Sequence, residues 1–246
     1  MRLAVFADVH GNLEALEAFL HHVSTQRVDR YVCLGDIVGY GANPGECIEK
    51  VRALPQINVV LGNHDAAAVW LSSPYSMSKM ATKAILWTME QLAVDHAAFL
   101  RELKETLTMG DMVFSHANPY NPRAWRYVTT RKYAGRCFSG TREKLLFVGH
   151  THEPMVITKR NPIRIAFEPP GHNGPIPVDL KRRQIFNCGS IGQPRDGIPL
   201  ASYLIYDTKL EEMEFHRIPY NHLKAADKIR RAGLPAYLAD RLSRGR

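Results

Sequence analysis

The first sixty residues alternate between short, wholly apolar runs and stretches in which apolar side chains recur every three or four positions. Leu3 to Ala7 predicts a strand, and Leu13, Leu16, Phe19, Leu20 and Val23 fall at helical spacing, predicting a helix to about Thr25 with Asn12 as its N-cap. A second strand, Arg30 to Leu34, precedes a helix opened by Asn43-Pro44 and running to about Ala53, with proline at the first helical position. Ile57 to Leu61 is a third strand. Strand, helix, strand, helix, strand at this pace predicts parallel βαβ units with right-handed crossovers.

From Met77 to Lys104 an apolar stripe (Met80, Ala84, Trp87, Leu92, Phe99, Leu103) predicts helix with a break near Asp95, and that stripe reads as core. Gly110-Asp111 between Thr106–Thr108 and Met112–Phe114 predicts a hairpin, and a helix follows over 130–138. Leu145–Val148 is another strand. Beyond it the pattern is β-like: Met155–Thr158, Ile163–Phe167, Gln184–Asn187, Ala201–Asp207 and Glu211–Ile218. Strands this late, after the βαβ units, predict a second and mostly antiparallel sheet. Pro169 to Pro175 reads as a structureless loop at the rim of the site or disordered, within which His172 takes no role. Leu223 to Arg246 reads as two short helices broken at Gly233-Leu234-Pro235. No linker divides residues 1–246, so a single domain is expected, with 222–246 as a basic helical extension packed on it or trailing from it.

Composition changes this picture little. The chain has 246 residues, 45% of them hydrophobic, enough to bury a sizeable core. The N-terminus turns acidic too soon for a signal peptide, and no run is long enough to span a membrane. Cys33, Cys47, Cys137 and Cys188 are scattered without CxxC spacing, which fits free thiols and a reducing cytoplasm. The formal charge is +8, but residues 217–246 hold eight Lys/Arg against two Asp, leaving the body nearly neutral. Nucleic acid could therefore be engaged only through the tail, where a solvated helix face is the preferred reading.

The chemistry lies at the strand ends. Asp8-Val9-His10, Gly35-Asp36, Gly62-Asn63-His64-Asp65, His116 and Gly149-His150-Thr151-His152 each close an apolar run, and they take five of the eleven histidines. Asp-x-His or His-x-His alone is weak evidence, though residues two apart in an extended segment point the same way. Five such clusters at buried strand ends call for a metal, because buried charges need partners.

In order and content these blocks resemble the calcineurin-like metallophosphoesterases, whose pattern is D-x-H, G-D, G-N-H-[DE], H and G-H-x-H. Within that family the chain is similar to a bacterial and archaeal phosphodiesterase-type subfamily. That likeness rests on Gly35 to Gly41, on Asn187 to Arg195 and on Gly233-Leu234-Pro235; Cys188 departs from it, standing where proline is usual. The resemblance implies an α/β four-layer αββα sandwich of two mixed β-sheets flanked by helices. It also implies two divalent ions: Asp8, His10, Asp36 and His152 hold one, and Asp36, Asn63, His116 and His150 the other, with Asp36 bridging. Mixed nitrogen and oxygen donors suit Mn, Fe, Zn or Ni better than Ca or Mg. The implied reaction is phosphoester hydrolysis by a metal-bridging hydroxide on a small phosphoester, diesters favoured, with His64 as general acid.

Asp65 reads as an N-cap or as a support for the ligands. Arg195 is a candidate for phosphate binding, with a structural ion pair as the alternative. Asn187 and Ser190 read as turn residues that could line the site, and Arg123 and Arg126 as exposed loop arginines. The alternatives in function are a phosphomonoesterase or a phosphoprotein phosphatase. Gly39 and Tyr40 argue against the latter, standing where such phosphatases carry an arginine region. A non-catalytic scaffold of the same fold is the remaining alternative, disfavoured by the complete set of motif residues.

Overall fold

The protein is described here from a computed structural model, which covers every residue except Pro162, His172 and Asn173. Two six-stranded sheets are stacked face to face. The first begins with β1 (Arg2–Phe6), β2 (Arg30–Cys33) and β3 (Ile57–Val59), joined through α1 (Leu13–Ser24) and α2 (Pro44–Arg52). All three strands run parallel. Asn12 caps α1 by accepting from the Ala15 N–H at 3.1 Å. After α3 (Asn63–Ala68), the long apolar stripe forms α4 (Lys79–Gln91) and α5 (Val94–Arg101). The break between them falls at Leu92-Ala93 rather than Asp95, where the extended backbone lets Leu92 pack on the core.

The second sheet is mixed. It contains β4 (Thr106–Met109), β5 (Met112–Ser115), β6 (Leu145–Val148), β7 (Pro154–Lys159), β8 (Ile165–Glu168) and β10 (Arg183–Cys188), in the order β4-β5-β6-β10-β7-β8. β5, β6 and β10 are parallel, the other pairings antiparallel. The helix α6 (Arg131–Gly140) covers its outer face through Ala134, Cys137 and Phe138.

The last long strands correct the sequence expectation. β11 (Ala201–Asp207) and β12 (Glu212–Ile218) extend the first sheet, not the second, with β9 (Ile176–Pro177) at its edge. β11 pairs antiparallel with β1, Leu3 opposite Tyr206 and Val5 opposite Leu204. The reason lies in its two buried faces: Tyr203 and Ile205 pack under the helices, while Leu204 and Tyr206 face the other sheet. A strand apolar on both sides belongs in the middle of a sheet.

The result is the four-layer αββα sandwich. Leu3, Val5 and Ala7 of the first sheet meet Phe114, Phe147 and Phe186 of the second, and Phe114 and Phe147 stack at 4.8 Å. Each of the leucine, valine and phenylalanine side chains stabilises by about 1.5–3 kcal/mol when buried. Exposed pairs such as Lys50–Glu17 (3.1 Å) contribute about 0–1 kcal/mol each, so the apolar seam decides the layering.

The C-terminal segment forms α7 (His222–Arg231) and α8 (Ala236–Asp240), then a 3₁₀ turn at Leu242–Arg244. Ala225, Ile229, Leu234, Leu238 and Leu242 are buried against Ala84, with Tyr40 and Trp87 alongside. Lys224 and Lys228 reach the buried Glu14 of α1 at 3.2 and 2.7 Å. Among the described residues no helix is long and apolar enough to cross a membrane.

Candidate metal centre

The carboxyl ends of β1, β2, β3, β5 and β6 converge at one edge of the sandwich, and all seven residues expected as ligands meet there. Asp8 and His10 follow β1, and Asp36 follows β2. Asn63 opens α3, His116 follows β5, and His150 and His152 follow β6. Asp8, His10, Asp36, His150 and His152 adopt left-handed backbone conformations (φ between 50° and 65°). Arg27, Gln56, Trp70 and Glu211 hold it in turns and loops elsewhere, but five such residues gathered in one place, at about 1–3 kcal/mol each, mark a strained site.

Asp65 keeps the Asp36 turn in place. Its buried carboxylate accepts from the N–H groups of Asp36 (2.7 Å), Ile37 (2.9 Å), Val38 (3.2 Å) and Gly62 (3.2 Å). It thus combines helix capping with support of a ligand turn. Burial, with Asp36 nearby, raises its pKa to about 7. Gly62 is required by contact: a Cβ there would lie 2.1 Å from Asp36 Oδ1. That oxygen accepts from the His64 N–H at 2.8 Å, so the other, Oδ2, faces the histidines.

Four rings are fixed by backbone carbonyls. His10 Nδ1 donates to Val38 O (3.2 Å), His116 Nδ1 to Leu34 O (2.8 Å), His152 Nδ1 to Gln193 O (2.6 Å) and His150 Nε2 to Trp125 O (2.9 Å). A carbonyl can only accept, so each of these nitrogens carries a proton, and any of these rings that is neutral turns a lone pair inward. Yet His10 Nε2 lies 3.2 Å from His152 Nε2, and His150 Nδ1 lies 3.0 Å from His116 Nε2. Burial lowers the pKa of His10 and His152 and takes His150 down to about 3, so these rings are neutral. Burial acts against protonation of His116 too, but the Asp36 carboxylate prevails and holds it up at about 9.

Two lone pairs at 3.2 Å repel unless a cation stands between them. Asp8 Oδ1 points the same way, 3.3 Å from His152 Nε2, with no hydrogen-bond partner of its own. Asp8–His10–His152 and Asp36–His116–His150 each gather three donor atoms within 4.8 Å of one another, as a metal ion requires. Asp36 Oδ2 lies between the groups, 3.6 Å from His10 Nε2 and 3.3 Å from His116 Nε2. Asn63 Oδ1 adds a neutral oxygen 3.1 Å from His116 Nε2. The donor set fits divalent metal, a mixture of imidazole and carboxylate that favours a transition ion.

His64 also stands within that reach of His10 and Asp36. Its ring packs against Tyr40 at 4.4 Å and His10 at 4.7 Å, its Nδ1 has no hydrogen-bond partner, and burial takes its pKa down to about 4. A cavity of about 250 Å³ opens over the cluster, walled by His64, Tyr40, Trp125, Tyr127, Arg195, Ser72, Ser76 and Ser78. Arg195 is not ion-paired among the described residues. Its guanidinium lies 5.8 Å over the Tyr40 ring and donates to Gln193 Oε1 at 2.8 Å, while Asp196 pairs with Arg217 instead.

Asn187 and Ser190 brace loops and do not line the cavity: Asn187 Nδ2 donates to Gly149 O (2.8 Å), and Ser190 Oγ to Asp8 O (2.9 Å). Arg123 pairs with Glu105 and Arg126 is exposed; neither lines the cavity. Pro169–Gly171 line a separate cavity of about 460 Å³ that shares Arg195 with the first, and His172 lies outside the described residues. Sequence reasoning missed Tyr40, Trp125, Tyr127 and Gln193 as parts of the site. Tyr127 stacks on His150 with centroids 4.2 Å apart. The signals available were the aromatic loop after His116 for Trp125 and Tyr127, and the stretches Gly35 to Gly41 and Asn187 to Arg195 for Tyr40 and Gln193.

The model of the calcineurin-like phosphoesterase superfamily domain matches residues 1–211. The chain belongs to this superfamily. A calcineurin-like phosphoesterase of this kind is a metal-binding hydrolase of phosphoesters, in keeping with the clustered ligand groups. The chain is 40% identical over 248 residues to an uncharacterized protein, MJ0912, of Methanocaldococcus jannaschii, covering 99% of this chain and 98% of that one. It superposes on a crystal structure of a metallophosphoesterase from Sphaerobacter thermophilus with TM-score 0.88 and 39% identity, covering 100% and 99% of the two chains. The hypothetical protein PH1004 from Pyrococcus horikoshii shares the fold, with TM-score 0.80 at 20% identity over 100% and 98% of the chains.

Proposed function

We propose that this chain hydrolyses phosphodiesters at a centre of two divalent ions, one held by Asp8, His10, Asp36 and His152, the other by Asp36, Asn63, His116 and His150. The observation that carries the reading is the meeting of unprotonated ring nitrogens at 3.2 Å beside an orphaned carboxylate oxygen. When bound, such a pair of cations polarises phosphoryl oxygens and lowers the pKa of water from 15.7 towards about 7.

The chain's own side chains bind and orient the substrate. Arg195 is the single Lys or Arg lining the cavity among the described residues, and its donors match a phosphoryl oxygen. Tyr40, Trp125 and Tyr127 supply flat apolar walls for an ester substituent, with Ser72, Ser76 and Ser78 opposite as hydrogen-bonding groups. His64 has a free ring nitrogen and no competing partner. An arriving anion raises the ring's proton affinity, the ring takes up a proton from solvent, and as imidazolium it gives that proton to the leaving oxygen.

The test loads the chain with Mn²⁺, Zn²⁺ or Ni²⁺, counts ions by elemental analysis, and compares bis(p-nitrophenyl) phosphate with p-nitrophenyl phosphate. We expect two ions per chain, faster turnover of the diester, and a His64→Ala variant that keeps both ions but loses turnover, by about 10²–10⁴ on diesters with poor leaving groups and less on the p-nitrophenyl esters. One ion per chain, a faster monoester, or parental turnover in His64→Ala on a diester with a poor leaving group would each overturn the reading.

A further inference from the structure

The basic C-terminal tail reaches the cavity wall through one buried amide. Gln193, 2% exposed, carries two loads. Its backbone carbonyl receives the His152 Nδ1 proton at 2.6 Å, and its side-chain Oε1 accepts from Arg195 Nη2 and from Arg241 Nη1, both at 2.8 Å. Guanidinium groups only donate, so the amide must present its oxygen, and its two lone pairs are both taken. Gln193 Oε1 is the side-chain acceptor that holds Arg195, which has no carboxylate within ion-pair distance among the described residues.

Arg241 is itself well anchored. It caps α8, whose Leu238 and Ala239 are buried, and its guanidinium lies 5.3 Å over the Tyr237 ring. Its Nε donates to the Arg246 carbonyl, and the Gly197 N–H donates to Gly245 O at 2.8 Å, so the tail grips the loop carrying Arg195 at two points. The same apolar cluster backs Tyr40, the ring beneath the Arg195 guanidinium. Arg241 does not line the cavity. It also lies beyond residue 211, where the match to the superfamily model stops.

We infer that Arg241 is a positioning residue: from the C-terminal tail it locks the Gln193 amide, and the amide in turn aims Arg195 at the substrate phosphoryl group. The inference rests on the reading of Arg195 given above. Without Arg241 the amide is free to turn, and Arg195 samples orientations that no longer meet the substrate. Because that contact serves bound substrate and transition state alike, the loss falls on KM more than on kcat.

The experiment measures kcat and KM of the Mn²⁺-loaded chain for bis(p-nitrophenyl) phosphate in Arg241→Ala, Arg195→Ala and the double variant, with ion content and melting temperature recorded for each. Arg241→Ala should raise KM about tenfold with kcat within about twofold and ions retained. Arg241→Lys, which can still donate to the amide, should recover most of that loss. In the Arg195→Ala background, removing Arg241 should change KM no further. Should Arg241→Ala fail to fold, Gln193→Leu breaks the same link and is expected to raise KM equally. Parental KM in Arg241→Ala, or a full additional effect in the Arg195→Ala background, overturns the relay. An Arg195→Ala variant with parental KM instead overturns the role assigned to Arg195.

Discussion

Gly39→Ala is the substitution for which the structure gives the fullest expectation. Gly39 has φ of +90°, and a Cβ built there would stand 2.4 Å from His64 Nδ1 and 3.1 Å from Ile85 Cδ1. The ring must retreat by about an ångström to reach ordinary contact, since side-chain contacts below 3.4 Å are tight. It has little room, packed between Tyr40 and His10 with centroids 4.4 and 4.7 Å away. The left-handed backbone costs a side chain about 1–2 kcal/mol. Overpacking the ring adds about 1–3 kcal/mol. At about 2–4 °C per kcal/mol for a chain of this size, the melting temperature should fall by about 4–20 °C.

The activity loss should be larger. A catalytic group displaced by about 1 Å can cost about 10²-fold in rate, and the ions should stay because His64 is assigned no ligand role. Diester turnover, elemental analysis and thermal melts on one preparation separate these effects. Gly110→Ala is the control, since Gly110 (φ +57°) sits in the exposed β4–β5 turn with nothing within 4 Å of its built Cβ. It should show only the backbone cost and parental turnover. Parental turnover in Gly39→Ala, or equal losses in both variants, would refute the steric reasoning.

Asp36→Asn should lose both ions together, because Oδ2 faces both ligand groups; elemental analysis finding one full site would remove the bridging role. Stability against pH should show the neutral rings when melts are run with chelator. His10, His64, His150 and His152 all have pKa values lowered from the ordinary 6.5, to about 4 for His64 and about 3 for His150. The unfolded chain therefore takes up protons below pH 6.5 that the fold refuses, and stability falls on acidification from 6.5 towards 4. Asp65, raised to about 7, opposes this with one proton retained in the fold, and His116, raised to about 9, adds a separate loss as pH climbs from 6.5 to 9. A melting temperature that rises between pH 6.5 and 4.5 would contradict the sign.

The parallel strands, the helices between them and the five polar strand ends were legible because each is local: an apolar run, a turn, then a donor. That these ends share one edge followed from the parallel direction of the strands. The placement of β11 was not legible, since it depends on pairing Leu3 with Tyr206 across most of the chain. Nor was the backbone of Asp8 or His150, whose positive φ no residue type announces. Asp65 could be read as a cap, but its bonds to Ile37 and Val38 join two loops far apart in sequence. The basic tail invited a reading by charge, whereas Arg241 is placed by a single neutral amide.

The donors come from both sheets of the sandwich. Asp8, Asp36 and Asn63 belong to strand ends of one sheet, and His116, His150 and His152 to those of the other. Any ion seated among them is therefore a rivet between the two sheets at one end of the fold. Starving the chain of metal removes that rivet, and the two halves are then free to part first along the rim where the chemistry happens.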